Sequence, residues 1–125
     1  MEISYSTKPF LELEFAGNTQ DFKELAHILS QGTGEIIADN PEKPDPYPSF
    51  SQKLIVENIP AQKVRVFLKD ETVMITGGTE FLVIFAENLK ELAEMRSPYH
   101  VHFEYFPDHF YLSRESCSLV CSLGY

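Results

Sequence analysis

The sequence is poor in the features that mark membrane, secreted and nucleotide-binding proteins. Its longest uninterrupted apolar stretch is residues 81–86, whereas a membrane span needs about twenty apolar residues. The first residues, Met1 to Ser6, contain no basic segment followed by an apolar run, so they do not predict a secretory signal. No P-loop, G-x-G-x-x-G or G-x-S-x-G pattern occurs. We therefore expect a cytoplasmic protein that is not an enzyme, needs no cofactor and has no contact with a membrane.

Cysteine is scarce, with Cys117 and Cys121 only. On an extended strand, two residues four apart are separated by roughly 13 Å. A disulfide needs Cα atoms within about 7 Å. Two reduced, buried thiols are the expected state, in keeping with a reducing compartment.

Basic residues are also scarce, since ten lysines and arginines face nineteen acidic residues and give a net charge of −9. The first fifty residues hold nine of the acids and three of the bases. Such a chain repels phosphate backbones, so nucleic-acid binding is not expected. It would attract a basic protein and accelerate the encounter. The alternative is that the acidity only keeps the protein soluble.

The hydrophobic pattern predicts one α+β domain over residues 1–125. Apolar residues recur at helical spacing in two segments, at Phe22, Leu25, Ala26 and Leu29, and again from residue 81 to residue 93. Shorter alternating segments predict strands at 10–15, 35–38, 53–59, 63–68, 72–76, 99–106 and 118–123. The expected architecture is a mostly antiparallel sheet of about six to seven strands with two helices packed on one face.

Two local features stand out from this pattern. Residues 39–49 contain four prolines and predict a long surface loop, which is either a stiff connector or a recognition loop, with Tyr47 as a binding candidate. The strand-to-helix segment at 13–19 resembles the segment at 74–79, and both end in threonine. That echo would fit an ancient duplication, although a strand, glycine and threonine before a helix is a common order.

The sharpest cluster of polar residues is His100, His102 and Glu104, followed by His109. On a strand, the first three project to one face, and two imidazoles with a carboxylate could hold a metal ion. The alternative function is therefore a metal-binding module or metal-dependent enzyme that uses these four residues. Neighbouring aromatic side chains give a second interpretation, a protein-contact patch that includes Tyr111. The plainest interpretation is that the aromatics are core and the polar residues pair across strands.

Residues 100–120 resemble the immunity protein 32 family, a group of small bacterial proteins from polymorphic toxin systems. The segment from Phe15 to Phe22 also fits the family. The matching features are His100-x-His102, a turn with Pro107 and His109, Tyr111-Leu112-Ser113, and Ser116-x-x-Leu119-Val120.

The resemblance implies an α+β protein that binds and blocks a cognate toxin. Ser113 joins the two β-strand histidines as a signature position without an assigned role. We expect a non-catalytic protein that neutralises a basic toxin by stoichiometric binding through an acidic and aromatic surface. A homodimer formed through an exposed strand edge is a further possibility.

Overall fold

The structure, a computed structural model, describes residues 1–39 and 49–124. The described residues form nine strands and two helices. In chain order they are β1 (Glu2–Ser6), β2 (Glu12–Gly17), α1 (Thr19–Gln31), β3 (Thr33–Ile37), β4 (Ser49–Ser51), β5 (Lys53–Asn58), β6 (Arg65–Lys69), β7 (Thr72–Gly77), α2 (Thr79–Ala93), β8 (Tyr99–Phe103) and β9 (Ser118–Leu123). The α+β class predicted from the sequence is confirmed.

The strands form two mixed sheets, so the prediction of one mostly antiparallel sheet was wrong. Sheet A has five strands in the order β4-β1-β2-β9-β8, and sheet B has four in the order β3-β5-β7-β6. The pairs β2–β9 and β5–β7 are parallel, and the other pairs are antiparallel. Each helix connects a strand of one sheet to a strand of the other. Strands that follow one another in the chain therefore need not be neighbours.

The two helices pack against each other, and their ends differ. At the start of α1, the Asn18 side chain accepts a hydrogen bond from the Asp21 amide, and the Asp21 carboxylate accepts one from the Asn18 amide. This reciprocal pair satisfies two N–H groups that a helix leaves without partners. Gly32 ends the helix in the left-handed region at φ 79°. At the start of α2, Gly78 occupies the cap position without a side-chain hydrogen bond.

Both helices and the inner faces of both sheets contribute to one hydrophobic core. Its fully buried large side chains include Phe15 from sheet A, Phe22 from α1, Ile75 from sheet B and Phe85 from α2. Among the described residues, no helix is both long enough and apolar enough to cross a membrane.

Apart from β4, the described strands and helices form two ββαββ halves that exchange strands. The first half supplies β1 and β2 to sheet A and then β3 and β5 to sheet B. The second half does the reverse, with β6 and β7 in sheet B and then β8 and β9 in sheet A. The two parallel contacts, β2–β9 and β5–β7, are the places where the halves meet within each sheet.

The buried positions of the two halves also correspond. Each buried residue of α1 has a buried counterpart sixty residues later in α2, in the pairs Phe22 and Leu82, Leu25 and Phe85, Ala26 and Ala86, and Leu29 and Leu89. In the connecting segments, β4 pairs with β1, and residues 111–117 run beside the start of β6. The similarity between segments 13–19 and 74–79 is therefore part of a structural repeat that covers both halves. A duplication would produce such a repeat.

Candidate functional site

Strand β8 carries the two histidines singled out in the sequence, and it is one of the two edge strands of sheet A. Phe103 is buried and Val101 is half-buried, while His100 and His102 are exposed. The two imidazole rings contact each other edge to face, with centroids 5.5 Å apart. The histidines therefore share the outer face of sheet A, the face that points away from the core.

The outer face of sheet A continues from the histidines into acidic residues. His102 lies opposite Val120 of β9, and Val120 lies opposite Glu14 of β2. The Glu14 carboxylate accepts a hydrogen bond of 2.9 Å from the Ser122 hydroxyl. Glu104, which follows β8, accepts one of 2.9 Å from the Ser118 hydroxyl. We call this surface the acidic face, and its residues are Glu12, Glu14, His100, His102 and Glu104.

The charge of the two sheets differs. None of the five described strands of sheet A contains lysine or arginine. Sheet B contains Lys53, Arg65 and Lys69, and Lys53 forms an ion pair of 3.3 Å with Glu35. The strands of sheet A thus hold three acidic residues and no basic one, whereas those of sheet B hold two acidic and three basic residues.

His109 does not join the β8 histidines, because its side chain turns inward. It is 9% exposed, and its Nδ1 atom accepts hydrogen bonds from the backbone amides of Tyr111 at 3.3 Å and Leu112 at 3.0 Å. The ring also contacts Phe106 and Tyr111, with centroids 4.5 and 4.7 Å away. Burial, followed by the nearby charge of Lys63, lowers the pKa of His109 from its usual 6.5. His109 acts here as a neutral clamp that holds the connection between β8 and β9.

Tyr111 and Ser113 attach the same connection to the rest of the molecule. Tyr111 is buried against Phe85, and its hydroxyl lies 3.1 Å from the Asn88 side-chain nitrogen. Burial raises the pKa of Tyr111 to about 12, although the hydrogen bond from Asn88 opposes this shift. The Ser113 amide donates to the carbonyl oxygen of Val64, 2.7 Å away, beside β6. The structure thus places both residues in packing roles; a direct contact with a partner stays a prediction.

Three aromatic side chains project from the connection that His109 holds. Tyr105 is 38% exposed, Phe106 59% and Phe110 73%. They lie on or beside a turn that is closed by a hydrogen bond from the His109 amide to the Phe106 carbonyl oxygen. Within this turn, Asp108 has φ 66°. Exposed aromatic side chains are frequent anchors in protein interfaces.

The four-residue metal set proposed from the sequence is not assembled. Within residues 1–39 and 49–124, no three His, Cys, Asp or Glu side chains are placed to hold one metal ion. His109 is separated from His100, His102 and Glu104 because the turn after β8 points its Nδ1 atom at the backbone.

The thiols are unsuited to nucleophilic chemistry, and of the two predicted to be buried, Cys121 is buried while Cys117 is half-buried. Both cysteines are free. Burial raises the pKa of Cys117 to about 11 and that of Cys121 well above its usual value. A thiol needs a lowered pKa to react readily near neutral pH.

Sequence reasoning did not place the acidic strand β2 in the same sheet as the histidine strand β8. Only the pairing of β2 with β9 places Glu12 and Glu14 on the same sheet face as the histidines, with one strand between them. The available signal was the absence of lysine and arginine from the segments that became sheet A. Tyr47, the remaining binding candidate, lies outside the described residues.

Comparison with known proteins gives one finding. Residues 72–123, less than half of the chain, match the family model of immunity protein 32. The matched segment contains β7, α2, β8 and β9 together with the clamped connection. No curated protein and no solved structure matches the chain. The resemblance to this family noted in the sequence is confirmed.

Proposed function

We propose that this chain, whose C-terminal segment matches immunity protein 32, neutralises a cognate toxin by stoichiometric binding and without catalysis. The family match is the observation that carries the proposal. The partner is a toxin made by the same cell, and the site of action is the cytoplasm.

The acidic face gives this proposal its electrostatic component. Its carboxylates lie on a sheet whose five described strands contain no basic residue. A basic toxin surface, such as the phosphate-binding site of a nuclease, would be steered towards it. Steering of this kind raises association rates by about 10- to 1,000-fold and weakens as salt is added. The same charge disfavours nucleic acid as a direct partner.

The exposed aromatic residues Tyr105, Phe106 and Phe110 give the proposal its affinity component. Aromatic anchors bury large areas and dominate the energy of many interfaces. The connection that carries them begins at Glu104, a residue of the acidic face. Charge would therefore bring the partner to the same region in which the anchors bind.

Co-expression tests the proposal. The toxin encoded beside this chain's gene is expressed alone and together with the chain, and growth is compared. We expect growth to be restored and the two proteins to co-purify in a 1:1 ratio. A toxin that stays lethal in the presence of folded chain, with no co-purification, would contradict the proposal.

A further inference from the structure

Strand β8 is an edge strand of sheet A. Among the described residues no strand pairs with its outer side, whereas β6, one of the two edge strands of sheet B, is flanked by residues 111–117. Sheet edges are usually protected by lysine, proline or a bulge, because an unpaired edge recruits other strands. The sequence of β8, Tyr-His-Val-His-Phe, contains neither lysine nor proline. Its exposed edge is thus suited to pairing.

A groove of about 180 Å³ runs beside this edge, between β8 and α2. Its helix side is formed by Asn88, Glu91, Leu92 and Met95, which lie on one stripe of α2 and the residues just after it. Its strand side is formed by the residues of β8 that point inward. A further strand beside β8 would lie about 4.8 Å away. The inward-pointing side chains of such a strand would then enter this groove.

The corresponding groove in the first half is closed. There Ile28 of α1 packs onto Gly34 of β3 so tightly that a Cβ atom at position 34 would lie 2.6 Å from Ile28 Cγ2. In the second half, the position equivalent to Ile28 is Asn88, sixty residues later. The position equivalent to Gly34 in the strand pairing is Val101. A single residue separates α1 from β3, but five separate α2 from β8. The open groove is thus a departure of the second half from the repeat.

We propose that the outer edge of β8 and the α2–β8 groove accept an extended segment of the toxin as an additional strand of sheet A. This inference rests on the proposed function and adds the mode of binding to it. Main-chain hydrogen bonds to β8 would supply affinity, and alternate side chains would supply specificity.

The chemistry of the two sides specifies the segment. Its inward side chains would be apolar, because they meet Leu92 and the half-exposed Met95. Its outward side chains would be basic, because they lie beside the acidic face at His102 and Glu104. The Glu91 carboxylate at the groove offers a further partner for a lysine or arginine.

Hydrogen–deuterium exchange on the full chain, alone and bound to the catalytically inactivated toxin, tests this inference. We expect amides of residues 99–103 to exchange at least about tenfold more slowly in the complex, while those of residues 33–37 on the open edge of β3 serve as the unchanged control. A complex without added protection at β8 would overturn the strand-addition mode and leave the proposed function standing. Absence of any complex would overturn both.

A second copy of the chain is the competing occupant. Light scattering that finds a dimer, together with slow exchange of residues 99–103 in the chain alone, would assign the edge to self-association and overturn the toxin as its occupant. A monomer with fast exchange at β8 supports the proposal.

A matched pair of variants tests the groove separately. Met95→Lys places a charge in the groove, and Ile37→Lys places the same charge on an exposed apolar position of β3. We expect Met95→Lys to weaken toxin binding at least about tenfold and Ile37→Lys to change it less than about twofold. The urea midpoints of both variants establish that they fold. Equal affinities of the two folded variants would overturn the role of the groove.

Discussion

Replacing His109 by alanine should destabilise the connection that presents the exposed aromatics. The substitution removes the acceptor of two backbone hydrogen bonds, at 3.0 and 3.3 Å, and the ring contacts with Phe106 and Tyr111. A buried donor left without its partner costs about 1–3 kcal/mol. The second bond is long, and water can reach part of the loop. We therefore expect the free energy of unfolding to fall by about 2–4 kcal/mol.

The His109 clamp also predicts the direction of a pH effect. Nδ1 must be unprotonated to accept the two hydrogen bonds, and burial, with Lys63, lowers the pKa of His109 from 6.5. The unfolded chain therefore binds this proton at a higher pH than the folded chain does. The stabilisation is complete above pH 6.5 and is lost as the pH falls from there through the lower folded pKa. The slope from this one group cannot exceed about 1.4 kcal/mol per pH unit.

Urea denaturation followed by circular dichroism at several pH values between 7.5 and 5 measures both effects. His109→Asn is the matched control, because an amide oxygen can take the place of Nδ1 but does not titrate in this range. It should recover at least half of the stability lost in His109→Ala, and its stability should depend less steeply on pH than that of the natural chain. Identical pH profiles for the asparagine variant and the natural chain would refute the clamp.

Three further predictions concern other parts of the fold. Gly34→Ala should lower the free energy of unfolding by about 1–3 kcal/mol, because position 34 has φ 151° and faces Ile28; urea denaturation should show a smaller loss in an Ile28→Ala background. Asn18→Ala should cost about 1 kcal/mol by removing the side-chain cap of α1, and an unchanged urea midpoint would contradict the capping role. The pKa of Cys117 is raised to about 11 and that of Cys121 well above its usual value. Both thiols should therefore react with an aromatic disulfide at pH 8 at least about tenfold more slowly in the folded chain than in urea. Equal rates would contradict the raised pKa values.

The helices and the faces of the strands could be predicted from the sequence because they depend on local periodicity. The apolar residues of α1 recur at helical spacing, and the observed buried face of α1 is the predicted one. The alternation of inward and outward residues in β8 was likewise visible before the structure. The same signal was present in β1, where Ile3 and Tyr5 alternate with polar residues, but it was overlooked.

The partition of the strands into two sheets could not be predicted in this way. Alternation shows which side of a strand is buried but not which strand lies next to it. The parallel pairing of β2 with β9 joins residues more than one hundred positions apart, as the bond between Glu14 and Ser122 shows. The acidic face depends on that pairing, and its extent therefore became visible only in the structure.

The environment of His109 also depended on a conformation that the sequence pattern does not specify. The sequence placed this residue with the β8 histidines as a possible metal ligand. Strand β8 ends at Phe103, three residues earlier than predicted, and Asp108 adopts a left-handed backbone conformation. That turn directs the imidazole at two backbone amides and away from the acidic face.

The association rate of the inactivated toxin with two charge variants tests the central claim most directly. One variant replaces Glu12, Glu14 and Glu104 of the acidic face by glutamine. The control replaces the exposed residues Glu24, Glu57 and Glu87 by glutamine. Both variants therefore have a net charge three units less negative than the −9 of the natural chain. At low salt, we expect the acidic-face variant to associate at least about tenfold more slowly and the control to stay within about twofold of the natural chain. Equal rates for the two variants would contradict binding through the acidic face.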